Sequence, residues 1–419
     1  MSRIDDLIAE HCPDGVAYRQ LSDLASTVPG LTGKTKADFS DGNARFASYK
    51  NIFANPSLDL NAPDFVKVKE GERQNSIQLG DILITGSSES LDEVGLSSVV
   101  TSSPSESIYL NSFCFIVRPD QNDILDPDFT KHLFRSESIR KQIRSTASGV
   151  TRINISKPRF MKVRIPVPPL EVQRAIVEIL DTFSMLEAEL EAERLARIQQ
   201  YLYYQSQVFT SLVREGAELV PLKDIGVWSG GGTPSKSRSE FWKNGSIPWV
   251  SPKDMGVIAI TQTQDYITQE AVVGSSTKVI SPDSVALVSR SSILEHTLPV
   301  AYLPIKVAIN QDLKAVTPRE GISARYVFHA LRSSRAEILR TVKRTGGSVA
   351  SLDSKKLWQF EIPVPSPEQQ EQVMLLLDKF DALVNDLSVG LPAELTARRQ
   401  QYEYYRDKLL TFKKLEVGS

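Results

Sequence analysis

The string Gly230-Gly231-Gly232-Thr233-Pro234-Ser235-Lys236-Ser237 comes nearest, in this 419-residue chain, to a phosphate cradle. A phosphate loop needs glycine directly before its lysine, so that the backbone can close on the anion. Ser235 stands there instead, and Pro234 removes an amide that the cradle would use. The mark of amino-methyl transfer, Asp or Asn followed by Pro-Pro and an aromatic, survives only as Asn55-Pro56-Ser57-Leu58. Four histidines, His11, His132, His296 and His329, are scattered singly. His132 and His329 hold matching positions of an internal repeat and read as satisfied structural histidines rather than bases or ligands. No GxSxG, HExxH or paired acidic metal motif occurs. Cys12 and Cys114 lie far apart, which supports neither a disulfide framework nor a zinc site. The chain reads as non-catalytic.

Its charge is more informative. From Lys131 to Arg164 ten residues are Lys or Arg and one is acidic, and Arg325 to Lys356 is similarly lopsided. Each run holds a turn of small residues bracketed by bases, Arg144 to Arg152 in one and Lys343 to Ser348 in the other. Small residues let a backbone approach phosphate, the bases neutralise it, and hydroxyls can serve backbone or base edges. A solvated helix face followed by an ordinary cap would look the same in one copy. Two copies at equivalent positions favour DNA. The net charge of −2 excludes a general polyelectrolyte binder, so the contact must be local.

The elements that must position these turns are themselves duplicated. Ile165-Pro166-Val167-Pro168 returns about 200 residues later as Ile362-Pro363-Val364-Pro365, Gln173 as Gln370, and Gln199-Gln200-Tyr201-x-Tyr203-Tyr204 as Gln400-Gln401-Tyr402-x-Tyr404-Tyr405. Upstream, Gly15, Leu21 and Asp23 answer to Gly216, Leu222 and Asp224. So long a unit is a whole domain plus a helix, giving near-twofold symmetry suited to a two-sided partner such as duplex DNA. Short apolar runs between Ser-, Gly- and Pro-rich turns predict strands and loops before each helix, with Thr85–Ser107 a long surface loop. Val172, Ile176, Ile179, Phe183, Leu186 and Leu190 step by four and three, a coiled-coil seam resumed by Ile198, Leu202, Phe209 and Leu212. A second seam runs through Val373, Leu376, Phe380, Leu383, Leu387, Leu391, Leu395, Tyr402, Leu409 and Phe412. Each helix would reach about 60–70 Å, and the two are expected to pack together and hold the domains apart. Pro392 predicts a kink or break in the second.

The fold class expected is α+β: two mixed α/β domains joined by two long antiparallel coiled-coil helices, with an internal pseudo-twofold repeat. The boundaries read as an N-terminal helical segment 1–14, a first domain 15–165, a central helical spacer 166–212, a second domain 213–362 and a C-terminal helical spacer 363–419. No apolar run is long enough for a membrane span, and the charged N-terminus lacks a signal-peptide core, so the cytoplasm is the expected compartment.

The GGTPS string, Ile247-Pro248-Trp249-Val250-Ser251, the twice-used IPVP entrance to a long helix and the opening His11-Cys12-Pro13-Asp14-Gly15-Val16 resemble the specificity subunit of type I restriction–modification systems. The resemblance covers almost the whole chain. It implies two target-recognition domains that each read one part of a split site on double-stranded DNA. Two helices fix the gap and hold two methyltransferase subunits, with two restriction subunits in the full complex. It further implies that this chain binds no cofactor, and that S-adenosylmethionine, ATP and Mg2+ belong to the partners. Where GGTPS should stand in the first domain, the chain has Val28-Pro29-Gly30-Leu31-Thr32-Gly33-Lys34, as expected if the domains read different sequences.

DNA-facing residues are expected at Lys34, Lys36, Tyr49, Lys50, Asn51, Ser87, Ser88, Arg144, Thr151, Arg152 and Asn154 in the first domain. In the second they are Thr233, Ser235, Lys236, Ser251, Lys253, Asp254, Ser289, Arg290, Ser291, Lys343, Arg344 and Ser348. Phe46 and Trp249 read as core anchors. Tyr201, Tyr402 and Tyr405 belong on or beside the seam, while Tyr204 and Tyr404 point outward to a partner. A self-contained DNA methyltransferase and a coiled-coil scaffold with two binding domains are the competing readings. The first would need a cofactor domain, and the second leaves the paired basic turns unexplained. The loops Thr85–Ser107 and Ser289–Thr297 differ most between halves, so the half-sites are expected to differ in sequence.

Overall fold

The computed structural model describes residues 3–121, 123–344, 349–385 and 390–415. The chain divides into two compact units, Met1–Glu191 with Glu394–Ser419, and Ala192–Ala393. Their sheets repeat. In the first unit the strands Ala25–Pro29, Cys114–Pro119, Ile82–Thr85 and Ser97–Val99 form one antiparallel sheet in that order. Gly226–Gly230, Leu313–Pro318, Ser284–Val288 and Val300–Leu303 form its counterpart. A second sheet in each unit holds one parallel pair, Ala44–Ala47 with Tyr109–Leu110 and Ile247–Val250 with Val307–Ile309. The central strands are apolar on both faces, as Ile82–Thr85 and Ser284–Val288 are buried throughout.

The repeated IPVP motif closes each unit. Arg164–Pro166 pairs antiparallel with Tyr18–Gln20, and Glu361–Val364 with Glu218–Pro221, burying Ile165 and Ile362 completely. Gly15 and Gly216, the first landmarks of the repeat, both have positive φ (111° and 89°), where a side chain would be strained.

From these strands rise the helices. Leu170–Arg214 is one unbroken helix of 45 residues, about 68 Å long at 1.5 Å per residue. The second is divided into Pro367–Asn385 and Gly390–Leu409, with Pro392 in the opening turn of the latter, where its missing N–H costs nothing. Residues 386–389 lie outside the described residues. Within the first unit the two helices run antiparallel: Phe183 stacks on Tyr405 at 5.3 Å, and Glu187 meets Arg399 at 2.6 Å.

The seam departs from the expected pattern. Val172, Ile176 and Leu180 are buried rather than Ile179, and Tyr201 rather than Leu202, while Leu186 and Leu376 are exposed. A strict heptad suits one facing helix. Here the buried face turns with the natural 3.6 period, because it also packs on the domain helices Pro127–Leu133 and Ala324–Ser333. Leu383 and Leu387 lie outside the described side chains. The Ser-rich segment is corrected as well. Thr85–Ser107 contains the strands Ser87–Ser88 and Ser97–Val99, with Ser97 and Ser98 buried, because small side chains let neighbouring layers close over the strand. Among the described residues no helix is long and apolar enough to cross a membrane.

His132 is buried where the first domain meets the helices. Its Nε2 lies 2.8 Å from Asp181 and its Nδ1 2.9 Å from the Tyr402 hydroxyl. A neutral ring satisfies both by donating to the carboxylate and accepting from the phenol. Lys131 also meets Asp128 (2.7 Å) and Asp181 (2.9 Å). Burial holds the imidazole below its ordinary value of 6.5, in spite of the bond it donates to Asp181. The unfolded chain therefore takes up a proton near 6.5 that the folded ring refuses, so this contribution is present above 6.5 and lost as the pH falls through the folded value. Asp181 acts lower: bonds from His132 and Lys131 outweigh its burial and keep it below 3.8. Thermal unfolding between about pH 7.5 and 5 should show a shallower loss of Tm on acidification in His132→Asn than in the wild type. Parallel slopes would mean that His132 is not the titrating group.

Candidate nucleic-acid interface

The two basic turns fold into the same device. In the first unit a three-stranded ribbon orders Ala147–Ser148, Ile153–Ile155 and Ser87–Ser88, pairing Ser148 with Asn154 and Asn154 with Ser87. In the second, Lys343 bridges Leu352, Arg290 bridges Ser351, and the Arg344 amide donates to the Ser351 carbonyl at 2.9 Å. The anchoring bonds match one for one. Ile155 donates to Gly86 and Gly86 to Phe113 (2.9 and 3.0 Å), while Leu352 donates to Ser289 and Ser289 to Asp312 (2.9 and 2.8 Å). Register alone thus makes Ser87 equivalent to Arg290, and Ser148 to Arg344. Gly149 turns the first hairpin at φ 127°, where a Cβ would meet the Arg152 carbonyl oxygen at 2.1 Å. Ser348 lies outside the described residues, as do 345–347 of the second hairpin.

In the first unit this ribbon gathers Ser87, Ser88, Thr151, Arg152 and Asn154, and Tyr49 joins it through a 3.2 Å bond from its hydroxyl to the Ser87 carbonyl. The Arg152 guanidinium bonds the Ser87 hydroxyl and lies 5.2 Å over the Phe113 ring. Ser88 bonds Glu93 at 3.3 Å, and Lys36 and Lys50 are exposed away from these bonds. In the second unit Arg290, Gln311 and Val349 line two adjoining grooves of about 340 and 410 Å3, the smaller also bordered by Ser291 and the larger by Ser289, Lys314, Arg344 and Ser351. Thr233 bonds Gln311, which brings the glycine-rich string to the same rim. Ser235 pairs with Ser237 at 2.8 Å, and Lys236 opens on a separate concavity with Trp242, Lys243 and Asp265.

Several expected contacts are instead structural. Lys34 keeps only 4% of its side chain exposed, bound to Glu72 at 2.5 Å and the Lys67 carbonyl at 2.6 Å. Asn51 is buried and ties Asn55 and Asp59 to its own amide. Ser251 and Asp254 cap each other at the start of a short turn, and Asp254 also accepts from Gln264. Arg144 is paired with Glu137, and Lys343 with Glu295. Inside the basic run, Arg135 and Arg140 are internal ties: Arg140 donates to the carbonyls of Asp92, Val94 and Gly95, Arg135 to those of Ile52, Phe53 and Ser97. Burial lowers both guanidinium groups to about 10. Trp249 anchors the core, as expected, with its Nε1 on the Gly232 carbonyl.

Sequence reasoning missed Phe113, Gln311 and Lys314. The signal was the repeated asparagine of the turns Asn111-Ser112-Phe113 and Asn310-Gln311-Asp312, each donating its amide to the parallel pair, to Ala47 and to Val250. The tyrosines divide by burial, although Tyr204 also stacks on Phe380 of the second helix at 6.1 Å. Tyr201 is buried against Asp381 (3.1 Å), Tyr402 bonds His132 and Tyr405 stacks on Phe183, whereas Tyr204 and Tyr404 are 44% and 61% exposed.

Comparison with known proteins agrees with this duplicated plan. The model of the type I restriction modification DNA specificity domain matches the chain twice, over residues 13–200 and 214–397. The specificity subunit of the Escherichia coli type I restriction enzyme EcoR124I/EcoR124II is 51% identical over 271 residues, which is 63% of this chain and 67% of that one. The MjaIX specificity subunit of Methanocaldococcus jannaschii is 32% identical over 173 residues, 39% of this chain and 38% of that protein. A solved chain from work on complex assembly and conformational transition of the type I R-M system shares the fold, with a TM-score of 0.62 at 17% identity, covering 94% of this chain and 97% of that one.

The geometry separates cations held inside the fold from cations left exposed. Lys34→Ala should lower the stability of the first unit and leave the affinity of the folded protein for DNA within about twofold, because its charge is already neutralised by Glu72. Lys236→Ala and Arg344→Ala should instead weaken DNA binding, by about 1–3 kcal/mol where a base is contacted, with sequence preference changed in one half-site alone. Thermal unfolding and binding titrations on the same samples check both. A change in both half-sites would mark these residues as structural.

Proposed function

Since the chain belongs to the type I restriction modification DNA specificity family, and is by that membership a specificity subunit rather than an enzyme, we propose that its two hairpins read the two halves of a bipartite, asymmetric DNA site. One observation carries the reading. The same hydrogen-bonded scaffold holds Ser87, Arg152 and Asn154 in one unit, and Arg290, Arg344 and Ser351 in the other. A shared frame with different side chains is what two different half-sites of one duplex require. Lys36, Lys50, Lys236 and Lys253, all exposed, supply phosphate contacts in this reading, and Thr151, Thr233 and Ser291 border the bases.

The proposal extends to assembly. Residues 15–165 and 213–362 act as the target-recognition domains, and 166–212 and 363–419 as the spacers that fix the gap between half-sites. Tyr204 and Tyr404 face two methyltransferase subunits, and two restriction subunits complete the complex. S-adenosylmethionine, ATP and Mg2+ are held by those partners, and the whole works in the cytoplasm.

Reconstitution tests the core of this. The isolated chain should methylate nothing, and adding its methyltransferase subunit should create adenine methylation at one split motif, with two such subunits per chain by native mass. Methylation by the chain alone, or a continuous or palindromic motif, would refute it.

A second prediction addresses the spacer. Four residues inserted after Leu190 add about 6 Å of helix and rotate it by about 40°, so packing nearly recovers. At about 3.4 Å per base pair the preferred gap should grow by one or two base pairs, each half-site keeping its bases. Two inserted residues turn the apolar stripe through about half a revolution and should abolish assembly. A gap that stays the same in the four-residue variant, with binding retained, would show that the helices do not set it.

A further inference from the structure

We propose that Arg152 is the guanine reader of the first half-site, held ready to grip the O6 and N7 of one guanine in the major groove. The inference rests on the DNA-reading function above and deepens it by naming a residue and a base.

The geometry that carries it is a guanidinium fixed on two sides. Nε and Nη2 lie 3.3 and 3.0 Å from the Ser87 hydroxyl, and the guanidinium carbon stands 5.2 Å over the Phe113 ring. Ser87 is itself held by the fold. It is nearly buried, paired in register with Asn154, and its carbonyl accepts from Tyr49 at 3.2 Å. Phe113 is an exposed aromatic (59%) whose backbone carbonyl is bonded by the Gly86 amide, which anchors the residue that carries the ring beside the ribbon.

Ser87 occupies the side edge of the fork, formed by Nε and Nη2. The end edge, two parallel N–H groups on Nη1 and Nη2, remains unengaged by these partners and has the spacing of two acceptors on one base. Guanine alone presents paired acceptors, N7 and O6, on its major-groove edge, and the hairpin of Ala147–Ser148 and Ile153–Ile155, whose turn carries Arg152, has the two-stranded width that such a groove admits. Other cations of the first domain are differently employed: Arg144 and Lys34 are neutralised by Glu137 and Glu72, Arg135 and Arg140 are spent on backbone carbonyls, and Arg159 reaches the Ser148 hydroxyl only at 3.5 Å. Arg152 has a hydroxyl and a ring as partners, which orient its charge without cancelling it.

A phosphate would also accept a two-pronged bond, but it can be reached from many angles and does not need an oriented fork. The orientation is what favours a base. The register of the second unit puts Val349 where Arg152 stands and Arg290 where Ser87 stands, so this assignment is confined to the first half-site.

The experiment uses the full chain assembled with its methyltransferase subunits and a DNA carrying the mapped motif. Each guanine of the first half-site is replaced in turn by 7-deazaguanine, which lacks the N7 acceptor. The wild type should lose about tenfold or more in affinity at one of these guanines and little at the others. In Arg152→Lys, which keeps the charge and loses the fork, that substitution should cost nothing further; Phe113→Leu, which removes the platform but no hydrogen-bonding group, should shrink the penalty. Indifference of the wild type to every 7-deazaguanine in the first half-site would overturn the assignment. So would a penalty undiminished in Arg152→Lys, or an Arg152→Ala variant whose base preference is intact and whose salt dependence alone flattens, the signature of a phosphate contact. Absence of any sequence-specific binding by the wild-type complex would overturn the functional reading itself, and this assignment with it.

Discussion

One buried glutamine amide holds each recognition domain to its helix. Gln173 donates to the carbonyls of Ile124 and Pro168 and accepts from the Asp126 amide, at 2.7–2.9 Å. Gln370 repeats this with Gly321, Pro365 and Ser323, at 2.9–3.0 Å. Each amide therefore joins the loop before a domain helix, the IPVP strand and the first turn of the long helix. A buried amide with three partners is directional where apolar packing is not. Removing it would leave an unpaired N–H and two carbonyls, each costing about 1–3 kcal/mol. Proline, which cannot be anchored through its own N–H, stands in both motifs just where the side-chain amide takes over that task. The direction in which the helix leaves the domain follows from this lock, and the packing of Val172, Ile176 and Leu180, or of Val373 and Leu377, follows from that direction.

With the frame so fixed, the reading ribbon is free to vary. Its strands are short, and its bonds run through backbone groups, so side chains can change without moving the scaffold. That Ser87 and Arg290 occupy one register position shows how far they have changed. On the proposed reading specificity is stored in the side chains of the ribbon, while the residues that repeat faithfully, Gln173 and Gln370 or Ile165 and Ile362, are buried and serve the fold.

This division also explains what the sequence made legible. The duplication, the two long helices, the structural histidines and the core role of Trp249 could be read, because each leaves a pattern of spacing or repetition. The contacts could be read only in part. Lys34, Asn51, Ser251 and Asp254 have the chemistry of DNA contacts but are engaged inside the domain, Lys34 by Glu72 far along the chain and the others by Asp59, Asp254 and Gln264 only 3 to 10 residues away. Arg135 and Arg140 look like a basic face, yet they tie down carbonyls some 40 residues upstream. Charge along a chain does not reveal whether a neutralising group returns in space, and only the topology does. Ser97 and Ser98 were read as loop for the related reason that a small side chain carries no hydrophobic signal even in a sheet interior.

The repeat is not the fold unit, and the tyrosines show why. Tyr201 follows the first domain in sequence but is buried in the second unit, bonded to Asp381, which also holds Arg332. Tyr402 follows the second domain but belongs to the first unit, bonded to His132. Each unit thus contains the start of one long helix and the finish of the other. In the second unit the finish of Leu170–Arg214 passes through Gly216 directly into the strand Glu218–Pro221. In the first unit no peptide bond makes the equivalent link. Lys413–Leu415 lie against Val16 instead, with Val16 donating to Lys413 and Leu415 to Val16 at 2.8 and 3.0 Å, and the Tyr18 hydroxyl donating to the Phe412 carbonyl. Gly15 permits this approach, since a Cβ there would stand 2.7 Å from the Lys413 oxygen. Hydrogen bonds in one half do the work of the covalent chain in the other, and this is how a single polypeptide gives its two units near-equivalent surroundings without a second copy.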